Sequence, residues 1–226
     1  MISLLRQLFF ALVVKPMVAI GMGIHIRSSE KLPIHGPAII AANHNSHLDT
    51  FVLMSLFPLR SLPILRPAAA ADYFLQNKAL AWFAIHMIGI IPLNRKLDQA
   101  VKEDPLQGCK DALLKNQIVI LFPEGSRGSP EKMSSFKSGI AHLAKTSPET
   151  PIIPIFLHGC GKALPRGEMI FVPTICDINV GAPLFWEDNR NKFMEKLENI
   201  FHVLSSEINT QRYCDEMEEW DVDANP

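Results

Sequence analysis

From residue 38 to residue 209, short apolar runs of strand length alternate with amphipathic stretches of helical length. No other feature restricts the fold as much. Residues 38–42, 62–71, 89–93, 118–122, 152–157, 169–172 and 175–180 read as strands. Residues 46–57, 77–86, 105–116, 136–145 and 189–209 read as helices, with Ser46 suited to an N-cap and Pro105 to a first turn. Strands alternating with helices predict an α/β fold, a largely parallel central sheet flanked by helices. At 48% hydrophobic and 20% charged, 226 residues can bury a full core, which excludes disorder and collagen-like repeats. Neither an internal repeat nor a low-complexity linker interrupts the chain, so one domain with an N-terminal appendage is expected.

The net charge is −1, which argues against bulk electrostatic binding to nucleic acid. That average hides a polarity: residues 1–140 carry +6 and residues 141–226 carry −7. The first part could face anionic phosphate or lipid. Asp215, Glu216, Glu218, Glu219, Asp221 and Asp223 concentrate the acidity in a tail that reads as a solvated, frayed terminus. Cys109, Cys160, Cys176 and Cys214 lie far apart with no CxxC pair, so neither a zinc site nor a disulfide framework is expected, and a reducing compartment fits.

Residues 7–26 carry one formal charge, Lys15. About 20 apolar residues suffice to span a bilayer. Lys15 and Pro16 fall at the midpoint, however, where a lysine costs about 2.5–3.5 kcal/mol on insertion scales and proline breaks the backbone ladder. Two short helices dipping into one leaflet, with Lys15 near the headgroups, avoid that cost. Arg6 on one side and Arg27 and Lys31 on the other give no charge bias across the segment, which also favours both ends on one face. A buried core helix and a true span are the alternatives.

Open α/β sheets bind ligands beyond the carboxyl ends of their strands. Three of the expected strand exits carry unusual chemistry: Asn43-His44-Asn45-Ser46-His47-Leu48-Asp49, then Asn94-Arg95, then Glu124-Gly125-Ser126-Arg127. A carboxylate five residues after a histidine, across a strand-to-helix turn, can fix the imidazole's tautomer and stabilise the imidazolium it forms. Two arginines on neighbouring loops can clamp a phosphate through forked hydrogen bonds. Gly125 and Gly128 permit the tight backbone such a loop needs. Taken singly, His44 with Asp49 could be a structural hydrogen bond, Arg95 a surface charge, and Pro-Glu-Gly a turn. His44, His47 and Asp49 could also ligate a metal with help from His142 or His158. Neither a Gly-x-Ser-x-Gly elbow nor a P-loop or dinucleotide glycine motif occurs.

Together these segments resemble the sequence boxes of the glycerolipid acyltransferases, most closely the 1-acyl-glycerol-3-phosphate type. Residues 43–49 are similar to their NHxxxxD box, and Gly89-Ile-Ile-Pro-Leu-Asn-Arg95 to the second box, which ends in a phosphate-binding arginine. Phe122-Pro-Glu-Gly-Ser-Arg127 is similar to the third, FPEGTR, with serine for threonine, and Pro151-Ile-Ile-Pro-Ile155 to the fourth. All stand in the family order over about 110 residues. The first 30 residues match in character only, and the stretch after Leu157 adds little.

The resemblance implies acyl transfer from acyl-CoA or acyl-carrier protein to the hydroxyl of a membrane lipid, lysophosphatidate, at a membrane surface, on the cytoplasmic face, with no cofactor and no metal. It implies His44 and Asp49 as the catalytic pair, and Arg95, Arg127 and Lys137 as phosphate ligands. Asn43, Glu124, Gly125 and Ser126 would bind substrate or order the loop. The corresponding domains are a membrane-associated helical segment (1–30), an acyltransferase domain (31–212) and an acidic tail (213–226). The boxes leave the acceptor open between lysophosphatidate, glycerol 3-phosphate, a lyso-phospholipid and a lyso-aminolipid. A non-catalytic lipid binder and a metal-dependent hydrolase remain the readings from other classes.

Overall fold

The computed structural model describes residues 2–46, 48–74, 76–94, 104–128, 132–163 and 172–223, with side chains through residue 210 except at 163. In chain order the helices are α1 (Ile2–Gly21), α2 (Leu48–Ser55), α3 (Ala71–Phe74), α4 (Lys78–Ile88), α5 (Gln107–Leu114), α6 (Gly139–Thr146), α7 (Cys160–Ala163) and α8 (Arg190–Asp223). The strands are β1 (Met22–Arg27), β2 (Ala38–Ala42), β3 (Leu65–Ala70), β4 (Ile91–Leu93), β5 (Ile118–Leu121), β6 (Ile152–His158) and β7 (Thr174–Val180). They form one sheet in the order β1-β7-β6-β2-β5-β3-β4. Every neighbouring pair is parallel except β6 with β7.

Two cores lie on opposite faces of this sheet, and the period of two along the strands divides residues between them. Ala38, Ile40, Ala42, Ile118 and Ile120 pack with Phe10, Val14 and Val18 of α1 and with Val52 and Leu53 of α2. Ile39, Ala41, Val119 and Leu121 pack with Ile140 and Leu143 of α6 and with Phe193, Leu197 and Phe201 of α8. The continuous apolar runs at residues 38–42 and 118–122 thus belong to central strands covered on both sides.

The structure departs from the sequence expectation most at the N-terminus. Instead of two short helices broken at Lys15-Pro16, α1 is one continuous rod. Phe10–Val14 form a π-type turn, with Lys15 N–H reaching Phe10 O, and Pro16 follows in the first turn of the next α-helical stretch. The wider turn takes up the proline's missing donor and its ring. The helix also stops at Gly21, five residues short of the expected apolar run. Met22–Arg27 is an edge strand parallel to β7, so part of the segment assigned to residues 1–30 belongs to the sheet. Ile24 and Ile26 face the core, while His25 meets Asp177 at 3.3 Å and Arg27 donates to Glu207 O on the other side. That alternation is hidden by the apolar run before it.

Smaller differences have local causes. Leu59–Ile64, with Pro63 inside it, is a 3-10 turn, so the strand expected from residue 62 starts at Leu65. At the other end of the chain, α8 continues to Asp223 rather than ending near Asn209, which makes residues 213–223 helical. The strand expected at 169–172 falls almost wholly outside the described residues.

Candidate active site

β2 and β5 are neighbours, but β2 leads into α2 on one face of the sheet and β5 leads into α6 on the other. Connections that diverge from adjacent parallel strands leave a crevice at the carboxyl ends. The two segments that emerge there are 43–49 and 122–128, which brings together groups some 80 residues apart in sequence.

His44 Nδ1 lies 2.9 Å from Asp49 Oδ2. Asp49 is fully buried in the first turn of α2. The same Oδ2 accepts the backbone N–H groups of Asn45 at 2.6 Å and Ser46 at 2.8 Å, so the turn between strand and helix wraps the carboxylate. An oxygen accepting from two amides acts as acceptor toward the ring as well. Nδ1 therefore carries the hydrogen, and in the neutral ring Nε2 is left as the acceptor. Nε2 has no partner among the described residues. Phe122 stacks on the imidazole with ring centres 4.1 Å apart and planes 19° apart, which fixes the ring's tilt and shields one face. His44 keeps 18% of its side chain exposed.

Glu124 is buried and faces inward. Its Oε1 accepts His44 N–H at 2.8 Å, and its Oε2 accepts both the N–H (2.8 Å) and the hydroxyl (2.6 Å) of Ser134. It ties the β2 exit to the chain ahead of α6, and Gly128 N–H adds a bond to His44 O. Asn43 is likewise buried; its amide pairs with both main-chain groups of Leu157, at 2.8 and 2.7 Å, pinning the β2 exit to β6. Asn45 Nδ2 reaches the same Leu157 carbonyl at 3.2 Å. Of the residues expected to bind substrate or order the loop, Asn43 and Glu124 are thus placed for ordering. Gly125 has φ +71°, and the Lys137 stem lies where a side chain at 125 would be, so this position requires glycine.

A cavity of about 740 Å³ opens beside His44. Its polar end carries Ser126, Arg127 and Lys137, and neither cation is ion-paired among the described residues. Its apolar part runs along Pro67-Ala68-Ala69-Ala70 and is closed by Phe51, Phe74, Ile88 and Ile90. The small side chains of β3 leave the room. Arg95 and His47 lie outside the described residues; Asn94, which precedes Arg95, lines the cavity. Among the described residues, no group of three or more His, Cys, Asp or Glu side chains is arranged to hold a metal.

Ser134, Leu157 and the apolar wall at Phe51, Phe74, Ile88 and Ile90 escaped the sequence reading as functional residues. A serine ten residues past the glutamate it holds has no spacing signature. The wall residues converge only through strand order.

A family model described as Acyltransferase matches residues 23–158, more than half of the chain. The chain belongs to the acyltransferase family. All the described site residues fall within that match. Curated relatives of this chain include the chloroplastic 1-acyl-sn-glycerol-3-phosphate acyltransferase of Arabidopsis thaliana, 34% identical over 147 residues, which cover 64% of this chain and 38% of the relative. The 1-acyl-sn-glycerol-3-phosphate acyltransferase alpha of Homo sapiens is 27% identical over 164 residues, covering 73% and 56%. This chain spans only 38% and 56% of the length of these two curated relatives. Among solved structures, it shares its fold with the 1-acyl-sn-glycerophosphate acyltransferase PlsC of Thermotoga maritima, at a TM-score of 0.69 and 20% identity over 92% of this chain and 87% of that one.

Proposed function

We propose that this protein transfers a fatty acyl group from a thioester, acyl-CoA or acyl-carrier protein, to the free hydroxyl of 1-acylglycerol 3-phosphate, giving phosphatidic acid. One observation carries the reading: an imidazole oriented by a buried carboxylate stands at the side of a cavity with a cationic end and an apolar body. The relatives' names point to the same acceptor.

In this reading Nε2 of neutral His44 takes the acceptor hydroxyl's proton as that oxygen attacks the thioester carbonyl. Asp49 holds the ring and balances the imidazolium. Acceptor and thioester react directly once held together, so no covalent acyl-enzyme and no cofactor enters. The proton then passes from His44 to the departing thiolate. Arg127 and Lys137 hold the acceptor phosphate, and Arg95 joins them on the strength of its motif alone. Ser126 borders the phosphate end, while Asn43, Glu124 and Gly125 keep the loop in register.

The apolar outer face of α1 supports a position on a membrane surface, where the lipid acceptor and its product reside. Soluble thioester donors and the free thiols of Cys109, Cys160 and Cys176 favour the cytoplasmic side.

The test is an acyl-transfer assay with labelled acyl-CoA and vesicle-borne acceptors. His44→Ala should lower kcat by about 10²–10⁴-fold, the usual contribution of a positioned base. Arg127→Ala should raise KM for lysophosphatidate more than KM for the donor. Undiminished turnover in His44→Ala defeats the mechanism. A preference of the wild type for glycerol 3-phosphate or an uncharged lyso-lipid defeats the acceptor assignment.

A further inference from the structure

Arg6 is out of character with its surroundings. It sits on an otherwise uncharged stretch of α1, is only 5% exposed, and meets no carboxylate among the described residues. Its Nη2 donates instead to two main-chain carbonyls, Leu65 O at 3.0 Å and Ile88 O at 2.6 Å, and its Nε has no partner among the described residues. Burial, with Arg66 nearby, pushes its pKa down to about 10, so it is still a cation at neutral pH. Burying a charge without a counter-ion is unfavourable, and an apolar chain of similar length would fill the same space. The partners explain the arginine. Ile88 is the last residue of α4, where carbonyls lack helical partners and the helix dipole favours a cation. Gly89 follows at φ +79°, and a β-carbon there would stand 2.7 Å from Arg6 Nη1. The guanidinium occupies the space that this glycine leaves.

Chain order shows what is being clamped. Leu65 is the first residue of β3, and Ile88 ends α4 three residues before β4 begins, so both lie at the ends of these strands away from their carboxyl termini. Ile88 itself lines the cavity, together with its neighbour Ile90 and with Pro67, two residues after Leu65. We propose that Arg6 is a positioning residue that sets the inner limit of the acyl-chain cavity, by tying β3 and the end of α4 together from α1. The inference rests on acyl transfer being the activity of this cavity. With the two carbonyls released, the turn at Ile88, Gly89 and Ile90 can move away from β3, and the cavity admits a longer chain.

The experiment measures kcat/KM of the full chain on vesicles for saturated acyl-CoA donors from decanoyl to eicosanoyl, with one acceptor. Arg6→Met should move the optimum to longer donors. Their relative kcat/KM should rise about fourfold for each methylene newly accommodated, with the acceptor KM unchanged. Arg6→Lys, which keeps a multiply donating cation but on a shorter stem that reaches the two carbonyls less well, should fall between wild type and Arg6→Met. A merely structural role would lower the melting temperature and scale every donor alike; an unchanged donor profile overturns the proposal. If Arg6→Met lacks native circular dichroism, Arg6→Lys decides by the same criterion. Failure of the wild type to acylate any acceptor with any donor would instead overturn acyl transfer itself, and that result is seen before any substitution is made.

Discussion

Glu124 shows how much one side chain of this site does without facing the cavity. Its two oxygens accept three hydrogens, from His44 N–H and from both donors of Ser134. Glu124→Gln keeps the shape but turns one acceptor into a donor, so at least one buried donor loses its charged partner. Such bonds contribute about 1.5–3 kcal/mol. At about 2–4 °C per kcal/mol for a chain this size, melting should fall by roughly 3–12 °C, and kcat should fall more than acceptor KM rises. A large KM effect with unchanged kcat would mean that Glu124 touches the acceptor. Burial makes a second prediction at this scale. The Cys109 thiol, fully buried and pushed up to about pKa 12 mainly by desolvation, should resist alkylation at pH 8 in the native protein and react once unfolded. The sequence made the meeting of His44 and Asp49 legible, because a five-residue spacing over a strand-to-helix turn is local geometry. It left Glu124 open between loop and substrate, since nothing local marks Ser134 as its partner. The approach of Cys160 Sγ to Cys176 Sγ, 2.8 Å, was equally invisible, because it depends on β6 and β7 pairing antiparallel.

Among the elements, the central strands were legible because an unbroken apolar run bounded by polar turns has few other uses. β1 was not, because its six residues continue the apolar run of α1 and only its place beside β7 gives it a strand's partners. The start of α4 was legible as a boundary near residue 77 but not as a cap: the Asn77 side chain accepts Ala79 N–H at 2.8 Å. The start of α5 depends on Asp104, which accepts Leu106 N–H at 2.9 Å and pairs with Lys110. The Lys110 hydrogen bond first, and the Leu106 N–H second, hold the Asp104 carboxyl below its ordinary pKa. A carboxyl lowered on folding stabilises the native state above its unfolded pKa, near 4, and that contribution disappears as pH falls through the folded value. Asp104→Ala should therefore cost up to about 1 kcal/mol at pH 7, as for a lost helix-start acceptor, and progressively less toward pH 3. Thermal melts of the two proteins at pH 7 and pH 3 check this; a gap that does not narrow in acid would show that the carboxylate charge contributes nothing. Because Pro105 and Leu106 line the cavity, the same substitution should loosen its rim.

At the scale of the whole molecule, strand order assembled the cavity and no stretch of sequence states strand order. The same order decides which apolar side chains stay exposed. α1 uses Phe10, Val14 and Val18 to bind the domain, which leaves a second apolar stripe outside: Leu4, Leu5, Leu8, Leu12 at 72% exposure and Ile20 at 86%. The end of α4 packs beside α1, with Phe9 and Phe83 rings edge to face at 5.4 Å, and adds Leu80, Trp82 and Ile85 to the exposed apolar surface. An apolar area of this kind on a folded domain marks an interaction surface. A helix bound to the domain along one side and apolar along the other fits a protein lying on a leaflet better than one crossing it, since a span would require the Phe10 and Val14 stripe to leave its core. Replacing Leu8 and Leu12 together by Asp should then leave folding and turnover of a short-chain, water-soluble acceptor near wild type. Recovery with phospholipid vesicles on flotation should drop at least tenfold, given about 1.5–3 kcal/mol for each fully buried leucine. Turnover of a vesicle-borne acceptor should drop with it. If the doubly substituted protein floats as well as wild type, α1 is not the element that meets the lipid. If it loses activity on the soluble acceptor as well, the stripe serves the domain rather than the membrane.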